Sequence, residues 1–299
     1  MSTSSWRAVI DIGTNSVLML IARRGLDGSL EVERDQSTIT RLGEGVAASG
    51  LLKDAAIART LGCLEGYRKI ADERGARIIP VTTEGVRLAR NPHAFLDPAE
   101  AVLGAPVRIL SGAEEAELSY LSVARETPGG GPLRVLDIGG ASTELVVGEG
   151  EQVIAAVSHP IGAVRLTEKF VTADPPTPAM VAAIHEHALA VFRAHLPVDP
   201  QPVLHGLAGT VTTAAAVLLE LPVYDRLKVD GSRFTSGQIA GLRDALAGET
   251  LAQRCERPCL ERGRADVVVA GLTILLAALL HCGAETLVVR DRGLRYALA

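Results

Sequence analysis

At 299 residues the chain exceeds an average domain and predicts two, and its 47% apolar residues suffice for two cores. Aromatics are only 3%, so Ala, Leu and Val must fill those cores, and a formal net charge of −5 excludes nucleic acid as a bulk electrostatic partner. Four scattered cysteines make no disulfide framework, the opening MSTSSWRAVIDIG has no apolar signal core, and the longest apolar run, Val267 to Leu280, is too short to span a bilayer; the expectation is a cytoplasmic protein with no membrane partner.

In chain order, Ala8 to Ile12 predicts a strand ending in Asp11, then the turn Gly13-Thr14-Asn15-Ser16 and a second strand from Val17 to Ala22. Glu31 to Arg34 and Ser37 to Thr40 predict a further strand, and Arg41 to Gly45 a glycine-punctuated loop. Ile57, Leu61, Leu64, Tyr67 and Ile70 recur at helical spacing, predicting a helix over about 53–74 with Gly75 as its C-cap. Arg77 to Val81 reads as a strand. Thr83-Glu84-Gly85 leads into a helix carrying Arg87 and Arg90 and stopped at Asn91-Pro92, and a further helix is expected to start at Asp97-Pro98. Val107 to Leu110 is strand-like. Ser111 and Glu114 have capping-box spacing at the start of a helix running to about Glu126. Pro128 to Pro132 is a flexible break.

Beyond it lies LRVLDIGGASTELVVGE, residues 133–149: an apolar run ending at Asp137, a turn of small residues, and a second run opened by Glu144. Strand, turn, strand sets Asp137 and Glu144 at facing strand ends. That arrangement offers two hard oxygen ligands to a divalent cation, with turn N–H groups for an anion. Val153 to His159 predicts a strand, Ile161 to Phe170 a turn into a helix, Ala179 to Leu196 a helix, Val203 to Leu207 a strand, and Ala208-Gly209-Thr210 a helix start. A buried helix over Ala265 to Leu280 and a strand over Thr286 to Val289 close the chain before Asp291-Arg292-Gly293-Leu294. Asp11-Ile12-Gly13 with Ser16 recurs 126 residues on as Asp137-Ile138-Gly139 with Ser142, a distance suited to a duplicated domain.

DIGTNSVLMLIA (11–22), RLGEG (41–45), TTEGVRLARN (82–91), SGAEEAEL (111–118), DIGGASTELVVGE (137–149), SHPIGAVRLTEKF (158–170), GLAGTVTT (206–213) and DRGLR (291–295) resemble, in order and along the whole chain, the exopolyphosphatase and guanosine pentaphosphate phosphatase family. The resemblance implies an α/β fold of two actin-like (ribonuclease H-like, sugar kinase and heat-shock ATPase superfamily) domains with an interdomain cleft. The expected division is 1–124 plus about 292–299, and 125–291, without the helical HD-like C-terminal domain of long members. It implies Mg²⁺-dependent removal of the terminal phosphate of inorganic polyphosphate or of guanosine pentaphosphate, a stringent-response link, and allows a homodimer. Lacking the helical region, the chain is expected to prefer short polyphosphate. Ala141 stands where the family has a third glycine, and Gly85 where it commonly has Ala; a positive φ at 141 would strain the loop.

Phosphoanhydride hydrolysis needs an in-line water, a metal and donors around the transferred group. Glu115 is the expected base or water-orienting group. Glu114 occupies N3 of the capping box and turns back to the helix start, whereas Glu115 is one position further round, and the second Glu of the family's SGxEEA agrees. Asp137 and Glu144 are expected metal ligands, with Asp11 as the partner acid of the first domain. Gly13, Thr14, Asn15 and Ser16 should line one phosphate loop, and Gly139, Gly140, Ser142 and Thr143 the other. Thr83 and Arg87 match the family's Thr and Arg beside the substrate phosphates, and Gly209 and Thr210 with Gly206 bring a helix N-terminus to the anion. Cys255-x-x-x-Cys259 and His185-Glu186-His187 lack zinc spacing, His205 reads as a core or strand-end residue, and no GxxxxGK[ST] is present. The competing readings are a kinase or ATPase of the same fold and a non-catalytic sensor of guanosine polyphosphates.

Overall fold

The computed structural model describes residues 5–127, 129, 131–195 and 199–299. Part of the expected Pro128–Pro132 break, and Leu196 at the end of the expected helix, lie outside the described residues. The chain forms two compact α/β units: one runs up to Leu118 and includes Leu294–Ala299, the other is Ser119–Gly293.

The first unit is built on a mixed five-stranded sheet of β1 (Arg7–Ile12), β2 (Ser16–Arg24), β3 (Leu30–Ile39), β4 (Arg77–Thr82) and β5 (Arg108–Ile109), in the order β3-β2-β1-β4-β5. β1, β2 and β3 are antiparallel neighbours; β4 and β5 run parallel to β1. Because a strand's side chains alternate, Ala8, Ile10 and Ile12 pack on one face with Ile57, Leu64 and Tyr67 of the helix Asp54–Arg74 and with Phe95 and Leu103 of the helix His93–Leu103. Val9 on the opposite face packs with Leu20 and Tyr296.

The second unit repeats that plan. β6 (Pro132–Ile138), β7 (Thr143–Glu149) and β8 (Gln152–His159) are an antiparallel meander, and β9 (Val203–Leu207) and β11 (Thr286–Val289) continue the sheet in parallel. The order is β10-β11-β9-β6-β7-β8, with β10 (Arg233–Thr235) as an added antiparallel edge. The helix Val268–Cys282 is almost entirely buried, against the helices Pro178–His195 and Ala208–Leu218. Its all-round apolar sequence marks a core helix, and no helix among the described residues is long and apolar enough to cross a membrane. All four cysteines are free.

Several expected boundaries move. The helix expected to start at Asp97-Pro98 starts at His93 and carries Pro98 inside it. Burial of Phe95, Leu96, Ala99 and Leu103 outweighs the hydrogen bond that Pro98 cannot donate. The helix expected through Arg90 is a single turn, Glu84–Arg87, and Arg90 instead donates to the Ser49 carbonyl at 2.7 Å. The strand expected over Val107 to Leu110 is reduced to Arg108–Ile109. The helices Arg226–Val229 and Ser236–Ala247 and strand β10 had no counterpart in the sequence reading.

Candidate active site

Each meander opens with the same tight turn. In the first unit the Gly13 N–H donates to Ser16 O at 3.0 Å; in the second, the Gly139 N–H donates to Ser142 O at 3.0 Å. The two turns are held by different neighbours. The first is clasped by the loop after β3: Thr40 and Arg41 N–H groups donate to Asn15 O, and Gly43 N–H donates to Thr14 O at 2.9 Å. Thr14 is buried, and Cβ atoms on Gly43 and Gly85 would lie 2.3 and 2.6 Å from its side chain. Gly85, where the family commonly has Ala, is therefore the residue that the Thr14 hydroxyl requires. The second turn is held by the helix Ala163–Phe170: Ala163 N–H donates to Gly139 O, and the Val164 and Arg165 N–H groups donate to Gly140 O, at 2.9–3.0 Å. Ala141 is buried and is not among the residues with positive φ, so the feared strain at that position does not arise.

The two turns differ in their acids. Asp137 faces Glu144 directly across the β6–β7 ladder, whereas Asp11 faces Leu18 across β1–β2. Directly opposed residues carry side chains on one face about 5 Å apart, where like charges repel. The second hairpin alone thus sets two carboxylates together. Each accepts a serine hydroxyl: Ser119 Oγ donates to Asp137 Oδ2 at 2.6 Å, and Ser158 Oγ to Glu144 Oε1 at 2.7 Å. Glu144 is 1% exposed. Thr143, expected to line the loop, is fully buried, and its hydroxyl donates to Ile161 O at 2.5 Å; it serves the loop's own architecture. Ser142 is buried as well.

Glu115 lies in the first turn of the helix Gly112–Ala124, its N–H donating to Ser111 O at 3.0 Å, and it is buried. The capping box forms one residue earlier. Glu114 Oε2 accepts from the Ser111 N–H and Oγ at 2.8 Å each, and Ser111 Oγ accepts the Glu114 N–H at 3.2 Å. Those hydrogen bonds, and after them Arg108, hold the Glu114 carboxyl down at about 2. Thr83 is buried ahead of the helical turn Glu84–Arg87. Arg87 Nη1 donates to Leu110 O at 2.5 Å and Nη2 lies 3.7 Å from Glu84, so this arginine braces the backbone two residues before the Glu115 helix.

A third feature is the start of the helix Ala208–Leu218, where Ala208 takes φ +68°, strain that a non-glycine residue tolerates when its surroundings enforce it. A Cβ on Gly209 would lie 1.8 Å from Arg264 Nη1, so that guanidinium rests on the helix N-terminus; burial pushes its pKa down. Thr210 packs against Gly271.

The sequence reading missed Ser119, Ser158 and Arg264. Ser119 lies four residues after Glu115, on the same helix face, and Ser158 faces Glu144 in the β7–β8 register, so helical and strand periodicity would have found both. Nothing around Arg264 signals its place.

Residues 21–298 match the model of the Ppx/GppA phosphatase family. Exopolyphosphatase 2 of Mycobacterium tuberculosis is 36% identical over 282 residues, covering 90% of this chain and 88% of its own. The crystal structure of the Aquifex aeolicus member of the Ppx/GppA family superimposes with a TM-score of 0.82 at 35% identity, covering 98% of this chain and 96% of that one. A crystal structure of an exopolyphosphatase-like protein gives 0.91 at 30% identity, over 98% and 97%. The chain belongs to the Ppx/GppA phosphatase family. It is accordingly a hydrolase of phosphoric anhydrides. Among the described residues no three His, Cys, Asp or Glu side chains gather as a metal-holding group. What stands is the Asp137–Glu144 pair, an all-oxygen donor set.

Proposed function

We propose that the chain is an exopolyphosphatase that removes the terminal phosphate of inorganic polyphosphate with the help of Mg²⁺. The observation that carries the reading is the in-register Asp137–Glu144 pair, each acid held by a serine, beside a tight glycine turn. Mg²⁺ is bound through one or two carboxylates plus waters and phosphate oxygens, and this pair suits it without a third protein ligand. When bound, the ion neutralises charge on the phosphate oxygens.

Glu115 orients the attacking water and accepts its proton as the oxygen bonds to the terminal phosphorus. The bond from that phosphorus to its bridging oxygen breaks, and the shortened chain leaves with the electron pair. The turns Gly13 to Ser16 and Gly139 to Ser142 each present backbone N–H groups suited to phosphate oxygens. Thr83 contributes a hydroxyl, and Arg87 keeps the Glu115 helix in place while offering its remaining guanidinium N–H groups. Gly209 and Thr210 present a helix N-terminus to a further phosphate. Short chains are the preferred substrates, because a protein of net charge −5 offers little long-range attraction to a long polyanion.

One observation favours a second substrate, guanosine pentaphosphate. Tyr224 is 42% exposed while its hydroxyl donates to Asp291 Oδ2 at 2.8 Å, and it stands within the field of Arg264. A fixed exposed ring near a phosphate-binding helix end is a platform for a purine base. A phosphate-release panel over polyphosphate, guanosine pentaphosphate and ATP, with and without Mg²⁺, tests both readings beside Glu115→Gln. Mg²⁺-dependent release from polyphosphate, lost by at least about a hundredfold in the variant, is expected. No release from any substrate by the wild type would refute the enzymatic reading; release from guanosine pentaphosphate alone would select the second substrate.

A further inference from the structure

We infer that Arg134 anchors a site for a small monovalent anion, of the halide or nitrate class, inside the second unit. Arg134 is the third residue of β6, a strand flanked by β9 and β7. Side chains alternate along it, and Leu136 and Ile138, on the same face as Arg134, belong to the core that holds Leu275 and Leu279 of the buried helix Val268–Cys282. Val147, directly opposite Arg134 in β7, packs against that core as well. The arginine therefore enters an apolar interior. It is 5% exposed, and its Nε and Nη1 atoms are buried with no hydrogen-bond acceptor in the protein.

A guanidinium cannot shed its proton, so its charge has to be met by something else. Among the described residues no ion pair joins Arg134 to a carboxylate. The Cys282 thiol feels the Arg134 charge, but burial outweighs it and pushes the thiol up to about 11, so Cys282 stays neutral. The carbonyls at the end of its helix are taken. Leu279 O accepts the Ala284 N–H at 2.9 Å, Leu280 O the Gly283 N–H at 3.2 Å, and Cys282 O the Gln201 N–H at 3.0 Å. The negative end of that helix returns only a fraction of one charge, less than a cation loses when it leaves water. A buried water satisfies an N–H group and leaves the charge unbalanced. An anion supplies both acceptor and counter-charge. One guanidinium balances one negative charge, so sulfate or divalent phosphate would bury a net charge of its own. A weakly hydrated monovalent ion fits instead, and it steadies β6, the strand that carries Asp137.

The test uses the whole protein and bromide as the probe. In thermal melts buffered without halide, potassium bromide added up to about 200 mM should raise the wild-type midpoint by about 4 °C along a saturable curve. Potassium sulfate at equal ionic strength should give less than half of that rise. General salt effects favour sulfate over bromide, so the reversed order is the signature of a site. Arg134→Met keeps the length of the side chain and drops its charge, and its midpoint should not respond to bromide. No saturable rise in the wild type, a rise of equal size with sulfate, or the same bromide response in Arg134→Met would overturn the site. If Arg134→Met does not fold, a wild-type crystal soaked in bromide decides. An anomalous peak within hydrogen-bond reach of the Arg134 guanidinium supports the site, and the lack of a peak there refutes it.

Discussion

Gly162→Ala tests whether the tight turn of the second unit is built by close approach. Gly162 has φ −139°, an extended conformation open to any residue, so backbone strain plays no part. The added Cβ would lie 2.4 Å from both the carbonyl carbon and oxygen of Gly140, and 2.6 Å from the Ala141 carbonyl carbon. These are backbone atoms without a rotamer to escape into, so turn and helix must part by about an ångström to reach ordinary contact. That motion pulls on the three hydrogen bonds from Ala163, Val164 and Arg165 to Gly139 O and Gly140 O. Overpacking costs about 1–3 kcal/mol and each weakened bond a share of about 1 kcal/mol, giving roughly 2–4 kcal/mol in all. A thermal melt should fall by about 5–12 °C. A turn misplaced by that distance should slow phosphate release by about a hundredfold in protein that is still folded at the assay temperature. An alanine variant with an unchanged melt and rate would show that the turn does not depend on this contact.

Three other outcomes are expected. Ser119→Ala removes the hydroxyl on Asp137 Oδ2 and should weaken Mg²⁺ activation about tenfold in a metal titration; an unchanged titration would deny Ser119 its positioning role. Ala141→Gly should leave the phosphate-release rate unchanged and lower stability by about 0.5–1 kcal/mol through the more flexible unfolded chain, because position 141 needs no positive φ; a faster variant would contradict this. His159 is fully buried, and burial first, then His195 and His281, pushes its pKa down from 6.5 to about 4. Above pH 6.5 it costs nothing. As pH falls towards 4 the unfolded chain takes up a proton that the native state refuses, so stability drops by up to about 3 kcal/mol. In urea unfolding at pH 7 and pH 4.5, His159→Leu should lose less stability than the wild type over that interval; equal losses would assign the acid sensitivity elsewhere.

The sequence made legible what depends on local periodicity and turn chemistry. The strands around Asp11 and Asp137, the helix ending at Gly75 and the Ser111–Glu114 capping box all rest on contacts a few residues apart, and their outlines follow from spacing. The His93–Leu103 helix escaped because a local signal, Pro98, was overridden by burial of four side chains on a face that the sequence alone does not locate. Arg264 and Gly162 escaped for another reason. Their importance lies in what touches them, Gly209 in one case and the Gly140 carbonyl in the other, and no spacing rule encodes a contact 22 or 55 residues away.

The duplication explains both what the two units share and where they part. A tight turn after the first strand is a backbone solution, so it survives repetition: the same N–H to carbonyl bond closes both turns, and the same glycine stands at the head of each. Side-chain chemistry is under no such constraint. The position opposite the strand-end aspartate is Leu18 in one copy and Glu144 in the other, and in the second copy each of the two acids accepts a serine hydroxyl. The first copy instead gathers cations, with Arg41, Lys53 and Arg59 about a loop whose backbone is stitched to Thr14 and Asn15. One scaffold used twice thus keeps its backbone turn while its side chains diverge, with paired carboxylates in the second copy and three cations about Glu44 in the first.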